Sequence, residues 1–184
     1  MFDAFKIRAE AVSAEVHHFP TMASALDFIL GFLKQEGVAD SPQSYALWAK
    51  CPFLNSLDKS KLSKEVPGLR FDVTRELAAE SRIGISQMDW GLANTGTLVQ
   101  DSTRVEQRLV STLPAIHIAL IATDRIVEDL PAVLAKVNPE RSGYIAMTTG
   151  PSRTSDIERV LTIGVHGPVR LIIVAVDEPG GINR

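Results

Sequence analysis

The sequence predicts a single α/β domain built on a mainly parallel sheet. Three observations carry this. From residue 115 onward the order reads strand, helix, strand, helix, strand, and two successive crossovers of that kind imply parallel strands with helices packed on the sheet. The runs AIHIALIAT (115–123) and VRLIIVAV (169–176) are nearly continuous and β-branched, as strands buried on both faces are. The 184 residues are 45% hydrophobic and 22% charged, a globular balance, and no Gly-, Ser- or Pro-rich linker divides them.

Residues 1–20 show no clean period and read as a loosely attached arm or a short helix. TMASALDFILGFLKQEG reads as a helix. Thr21 caps it, Leu26, Ile29, Leu30 and Leu33 fall at i, i+3, i+4 and i+7, and Gly37 ends it. Gly31 inside it costs about 1 kcal/mol against Ala, which close packing would offset. SYALW is a short strand, and residues 55–66 a polar surface helix. LRFDV and RIGISQ read as strands with the helix TRELAAES between them. DWGLANTGTLVQD reads as strand, tight turn, strand. After the strand 115–123 come the helix DLPAVLAKV, the strand GYIAMT, a helix over Ser155–Ile163 and the last strand.

Composition excludes several classes. The net charge of −3 argues against a general nucleic-acid or anionic-membrane surface, though not against a local basic patch. No run reaches the roughly 18 apolar residues that a membrane helix needs. MFDAFKIRAEAVSAEVHHFP has no apolar h-region, so no secretory signal and a cytoplasmic location are expected. Cys51 is the one cysteine. It cannot form a disulfide within the chain, nor hold an iron–sulfur cluster, which takes about four thiolates. It reads as an inert, half-buried thiol.

Three stretches carry candidate chemistry. In TTGPSRTSDIE, Gly150 and Pro151 turn the chain, and Ser155 with Glu158 matches a capping box. This delivers Ser152, Arg153 and Thr154 to a helix N-terminus at the C-terminal edge of the sheet, where open α/β sheets bind ligands. Unpaired N–H groups and a forked guanidinium there suit a phosphate, carboxylate or pyrophosphate. Asp156 either complements the helix dipole or pairs with Arg153. The same spacing fits an ordinary β–α turn. GLANTGT (91–97) has P-loop glycine spacing, but Thr97 stands where the lysine is required. What remains is a turn offering Asn94, Thr95, Gly96 and Thr97 to a ligand, or a plain hairpin. In GVHGP, His166 sits between glycines and is either a general base or ligand group, or a brace for the turn. His117, inside a buried strand, reads as a satisfied core histidine. No metal-ligand spacing, G-x-S-x-G or G-x-G-x-x-G is present.

ANTGT, STLPAIHIALI, TGPSRTSDIE and GVHGP before an apolar strand, in this order over roughly residues 83–177, resemble the lactate-utilisation protein C family, also called the LUD domain. The resemblance implies a three-layer α/β fold like that of the NagB/RpiA/CoA-transferase group. It implies one LUD-like domain over residues 1–184, with an N-terminal arm (1–20) and a motif-bearing core (83–177). It also implies a role in bacterial growth on L-lactate, beside partners, some carrying iron–sulfur clusters, that together oxidise lactate to pyruvate. The expectation is a subunit of such a system that binds a small anionic ligand. Gly150, Ser152, Arg153 and Thr154 would cradle it, with Asp156 near. Asn94, Thr95, Gly96 and Thr97 would form the opposite wall, and His166 would orient a carboxylate or relay a proton. No cofactor is expected in this chain, and the clusters belong to the partners. The alternative is a stand-alone enzyme of the wider fold group acting on an acyl-CoA or sugar phosphate. Coenzyme A transferases use a glutamate nucleophile, and the nearest candidate, Glu106 in TRVEQR, reads more simply as a solvated charge.

Overall fold

The apolar strand sequences meet at the centre of the computed structural model, which describes residues 1–138, 140–154, 162–163 and 166–177, with the backbone alone for 154, 162 and 163. In chain order the elements are α1 (Phe2–Ala11), β1 (Glu15–Phe19), α2 (Met22–Gln35), β2 (Tyr45–Trp48), α3 (Lys59–Glu65), β3 (Leu69–Arg70), α4 (Arg75–Ala79) and β4 (Ser81–Gln87). There follow β5 (Trp90–Leu92), β6 (Thr97–Asp101), α5 (Val105–Thr112), β7 (Ile116–Ala122), β8 (Ile126–Val127) and α6 (Leu130–Leu134). The last are β9 (Ile145–Thr148), β10 (Arg153–Thr154), β11 (Thr162–Ile163) and β12 (Arg170–Val176).

A fully parallel sheet runs in the order β1-β12-β7-β4-β2-β3. Every residue of β7 is buried, as helices on both faces require. On one face Ile83, Ile85, Ile118, Leu120, Ile172 and Val174 pack against Ile29, Leu30 and Leu33 of α2. On the other, Ile121, Leu171 and Ile173 pack against Phe5 and Ala9 of α1 and Leu98 of β6. Beyond β4 this second face is covered by α4 and α5, through Ala78 and Val110 on Leu47 and Ala49. The molecule is therefore three layers with the main sheet in the middle. A second sheet, β8-β5-β6-β9, is part of the outer layer.

The α2 boundaries follow the residues that predict them. Thr21 Oγ1 accepts from the Ser24 amide at 3.2 Å, and Gly37 takes φ +74° just past the end. β2, α3, α4 and the β5–β6 hairpin also lie where the sequence puts them.

Four expectations are corrected. Residues 1–20 are not a loose arm, because β1 pairs in register with β12 and Phe5 and Ala9 are fully buried. The apolar stripe of α1 is one residue per turn wide, too narrow to show a period. GYIAMT does not join the parallel sheet. β9 pairs antiparallel with β6, and its half-exposed residues suit an outer strand rather than an interior one. The helix over Ser155–Ile163 is not present at its far end, where β11 pairs antiparallel with β10. Residues 155–161, including Ser155, Asp156, Ile157, Glu158, Val160 and Leu161, and also Gly164, lie outside the described residues. Finally, residues 105–112 form α5, for which the sequence reading has no element. The helix rests on Gly84, where a Cβ would stand 1.8 Å from the Val110 carbonyl oxygen.

Candidate functional site

Because β9 belongs to the outer sheet, the loop that follows it returns to the N-terminal edge of the main sheet rather than the C-terminal edge. The Ser152 amide donates to Pro168 O at 2.9 Å, and the Val169 amide to Ala115 O at 2.8 Å. These two bonds bring TTGPS against GVHGP and against the start of β7. Between them and the C-terminal turn of α5 lies a cavity of about 230 Å³. Gly150, Ser152 and His166 line it, together with His117, Thr112 and Thr149. Among the predicted site residues, then, the structure gathers Gly150, Ser152 and His166 at one cavity.

His117 supplies the buried polar group of this cavity. It faces the α5 side of the sheet, in register with Gly84 on one side and Leu171 on the other. Nε2 lies 2.9 Å from Ser86 Oγ, while Nδ1 has no hydrogen-bond partner among the described residues. Full burial holds the imidazole pKa down to about 4, so the ring is neutral near pH 7. When Ser86 donates to Nε2, Nδ1 carries the remaining proton and is a donor. The core histidine expected at this position is thus only half satisfied. Among the described residues no aspartate or glutamate lines the cavity.

The other predicted residues serve a different purpose. Thr95 Oγ1 donates to Thr97 Oγ1 at 2.8 Å, and Thr97 Oγ1 lies 2.8 Å from Thr149 Oγ1, so three hydroxyls join the hairpin turn to the loop after β9. The space beyond this seam is filled by the end of α1. Gly96, at φ +70°, lets the backbone of Arg8 and Ala9 approach; a Cβ there would lie 2.3 Å from the Ala9 nitrogen. Gly150, at φ +69°, does the same for Val12, whose carbonyl oxygen would lie 2.3 Å from a Cβ. Arg153 lies in β10, and the start of the helix expected after it falls outside the described residues. Its guanidinium donates to Val12 O and, at 3.0 Å, to Ser13 Oγ, where it meets the last carbonyls of α1. Asn94 borders a separate hollow with Arg8 and Glu128. Glu106 is a half-buried residue in the first turn of α5, 3.7 Å from Arg104.

Motifs spread over the chain therefore converge on one cavity and on the α1 seam beside it. The sequence profile of the LUD domain family matches residues 2–176. The chain belongs to the LUD domain family. Its relatives include lactate utilization protein C of Macrococcus caseolyticus, 33% identical over 109 residues, or 56% of this chain and 47% of that protein. Another is lactate utilization protein C of Geobacillus sp. (strain WCH70), 35% identical over 109 residues, 56% of this chain and 45% of that protein. The LUD chain spans about half the length of the curated relatives it matches. The crystal structure of a DUF162 family protein from Deinococcus radiodurans superposes with a TM-score of 0.63 at 20% identity, covering 95% of each chain, and shares the fold.

The polar residues that line this LUD domain's cavity beyond the predicted ones are Ser111, Thr112, His117, Thr148 and Thr149. A signal for His117 exists in the pairing of RIGIS with AIHIA: a serine on β4 offers the ring one hydroxyl. It becomes readable only once β4 and β7 are known to be neighbours. Among the described residues no helix is long and apolar enough to cross a membrane, and no three His, Cys, Asp or Glu side chains are grouped as metal ligands.

Proposed function

We propose that this LUD domain is a subunit of a bacterial L-lactate-oxidising system, that it binds a small anionic ligand in the cavity beside His117, and that it acts with iron–sulfur partner proteins. The observation that carries the ligand reading is a cavity walled by two imidazoles and several hydroxyls, with no carboxylate among its described lining residues and one buried ring nitrogen that lacks a partner among the described residues. The relatives named lactate utilization protein C support the lactate reading.

The cavity favours one arrangement of charge. The C-terminal turn of α5 brings the negative end of a helix to one wall. Ser152 Oγ, the His166 ring and His117 Nδ1 supply donors. A molecule with a carboxylate beside a hydroxyl satisfies both: the hydroxyl donates to the carbonyl end of α5, and the carboxylate accepts from Ser152 and the histidines. A 2-hydroxy acid has this layout. Its negative charge favours protonated His117, so affinity rises as pH falls toward the histidine's titration range. Electrons leaving such a substrate need an acceptor. Cys51 is buried, and burial pushes its thiol up to about 11, so this chain offers one protonated sulfur where a cluster takes about four thiolates. The clusters therefore belong to partners.

Titration of the full chain with L-lactate and with pyruvate, followed by backbone NMR, is expected to move the amides of residues 148–152 and 166–168. Ser152→Ala is expected to weaken binding about tenfold or more, because a hydrogen bond to a charged group contributes about 1.5–3 kcal/mol. An unchanged affinity in that variant would remove the ligand reading. Purification from native cells without any iron–sulfur protein would remove the partner reading.

A further inference from the structure

The two sides of the cavity beside His117 offer a ligand different hydrogen-bonding groups. Ser111 and Thr112, at the end of α5, line one side. Their hydroxyls donate back into the helix, to the Arg108 carbonyl oxygen, Ser111 Oγ at 3.1 Å and Thr112 Oγ1 at 2.7 Å. With those protons committed, only lone pairs remain for a ligand. The Thr112 carbonyl belongs to the last turn, where carbonyls have no intrahelical partner, and no backbone amide of the described turns and loops donates to it. This side therefore accepts hydrogen bonds and does not donate them.

The other side donates. Ser152 lines it with a hydroxyl, and His117 Nδ1 is a fully buried donor without a partner among the described residues. Gly167 stands between the two sides. A Cβ there would lie 3.5 Å from Ser152 Oγ and 4.0 Å from the Thr112 carbonyl oxygen, and its nearest contact would be Ser152 Cβ at 3.2 Å. Chain neighbours aside, no other described atom comes nearer than these. The φ of Gly167 is not in the left-handed region, so the backbone does not require glycine here. What the missing side chain provides is space.

That space has the dimensions of a hydrogen-bonded carbon. A carbon whose oxygen makes a normal hydrogen bond stands about 3.5 Å from the oxygen across it. We infer that this site selects a 2-hydroxy acid over the corresponding 2-oxo acid, and that Gly167 is its specificity-determining residue. The vacant Cβ position takes the carbon skeleton of the ligand, with the carboxylate toward Ser152 and His117 and the 2-hydroxyl donating to the Thr112 carbonyl. A 2-oxo acid has no proton to give there. Its oxygen would face the lone pairs of Thr112 and leave both acceptors unpaired. The inference rests on the anionic-ligand reading above and adds to it a discrimination between the reduced and the oxidised acid: the first is held and the second is let go.

Affinities of the full chain for L-lactate, pyruvate and propionate are measured by NMR titration of the amides of residues 148–152 and 166–168. L-Lactate is expected to bind about fivefold or more tighter than pyruvate, because an acceptor left without its donor weakens binding by at least that factor. Propionate, with the carboxylate but no oxygen at carbon 2, is expected to bind more weakly than lactate. Gly167→Ala is expected to bring lactate down to the level of propionate with an unchanged circular dichroism spectrum, since its methyl group takes the place of the ligand carbon. Should that variant unfold, the ranking of the three acids on the unaltered chain still decides. Equal binding of the three acids would overturn the inference and leave the anionic-ligand reading standing, whereas no binding of any would overturn both. A folded Gly167→Ala that keeps the preference for lactate would overturn the role of Gly167.

Discussion

His117 is the residue whose protonation couples most directly to folding. In the unfolded chain its pKa is 6.5, and burial holds it down to about 4 in the folded protein. Between those values the unfolded chain binds a proton that the folded chain does not, so stability rises with pH across the window. This contribution is complete above about pH 6.5 and is lost on acidification toward about pH 4. The gap corresponds to about 3 kcal/mol. Urea denaturation of His117→Asn is expected to give a flatter pH dependence than the unaltered protein over this range. Equal slopes would show that the ring is not the titrating group. The carboxyl of Glu36, held low by its hydrogen bonds to Arg82 and Arg170, adds its loss at still lower pH. At this scale the sequence was partly legible. Gly150, Ser152 and His166 could be named from local turn chemistry. The role of His117 could not, because it depends on Ser86, which lies 31 residues away along the chain and becomes a neighbour only through strand pairing.

Among the elements, two glycines with opposite roles separate local propensity from packing. Gly31 lies within α2, and a Cβ there meets nothing within 4 Å. The close contact that would offset its cost is absent, so Gly31→Ala is expected to stabilise the protein by about 1 kcal/mol. Gly96 has both a positive φ and the α1 backbone against it. Gly96→Ala is expected to destabilise by about 2 kcal/mol or more, from the left-handed conformation and the displaced helix together. Thermal melts of the two single variants should shift in opposite directions, and a shift of the same sign would refute the packing described for α1. The cap of α2 was legible because a side chain and an amide a few residues apart determine it. The partner of β9 was not, since GYIAMT is compatible with either sheet until β6 offers an edge. The ladder of β10 and β11 shows the same limit: the strand at Thr162–Ile163 depends on a pairing that only the fold supplies.

The whole molecule is closed by its first fourteen residues. α1 contributes Phe5 and Ala9 to the core, receives Arg153 on its last carbonyls, and fills the space against Gly96 and Gly150. Deleting residues 1–13 is expected to cost about 3 kcal/mol or more, since losing a buried phenylalanine alone costs that much. Chemical denaturation of the shortened chain measures it, and stability within 1 kcal/mol of the full chain would show that this segment is dispensable. Fold class was readable from strand hydropathy and the order of elements, and the three-layer arrangement from the family resemblance. The edge on which the cavity opens was not, because it follows from the sheet that β9 joins. The pairing of β1 with β12, Glu15 opposite Ile172, has a consequence during synthesis. On the ribosome the earliest strand emerges long before the strand that receives it. For most of translation the nascent polypeptide holds an unpaired β1 and an uncovered apolar helix face, so the finished architecture can assemble only after β12 clears the exit tunnel.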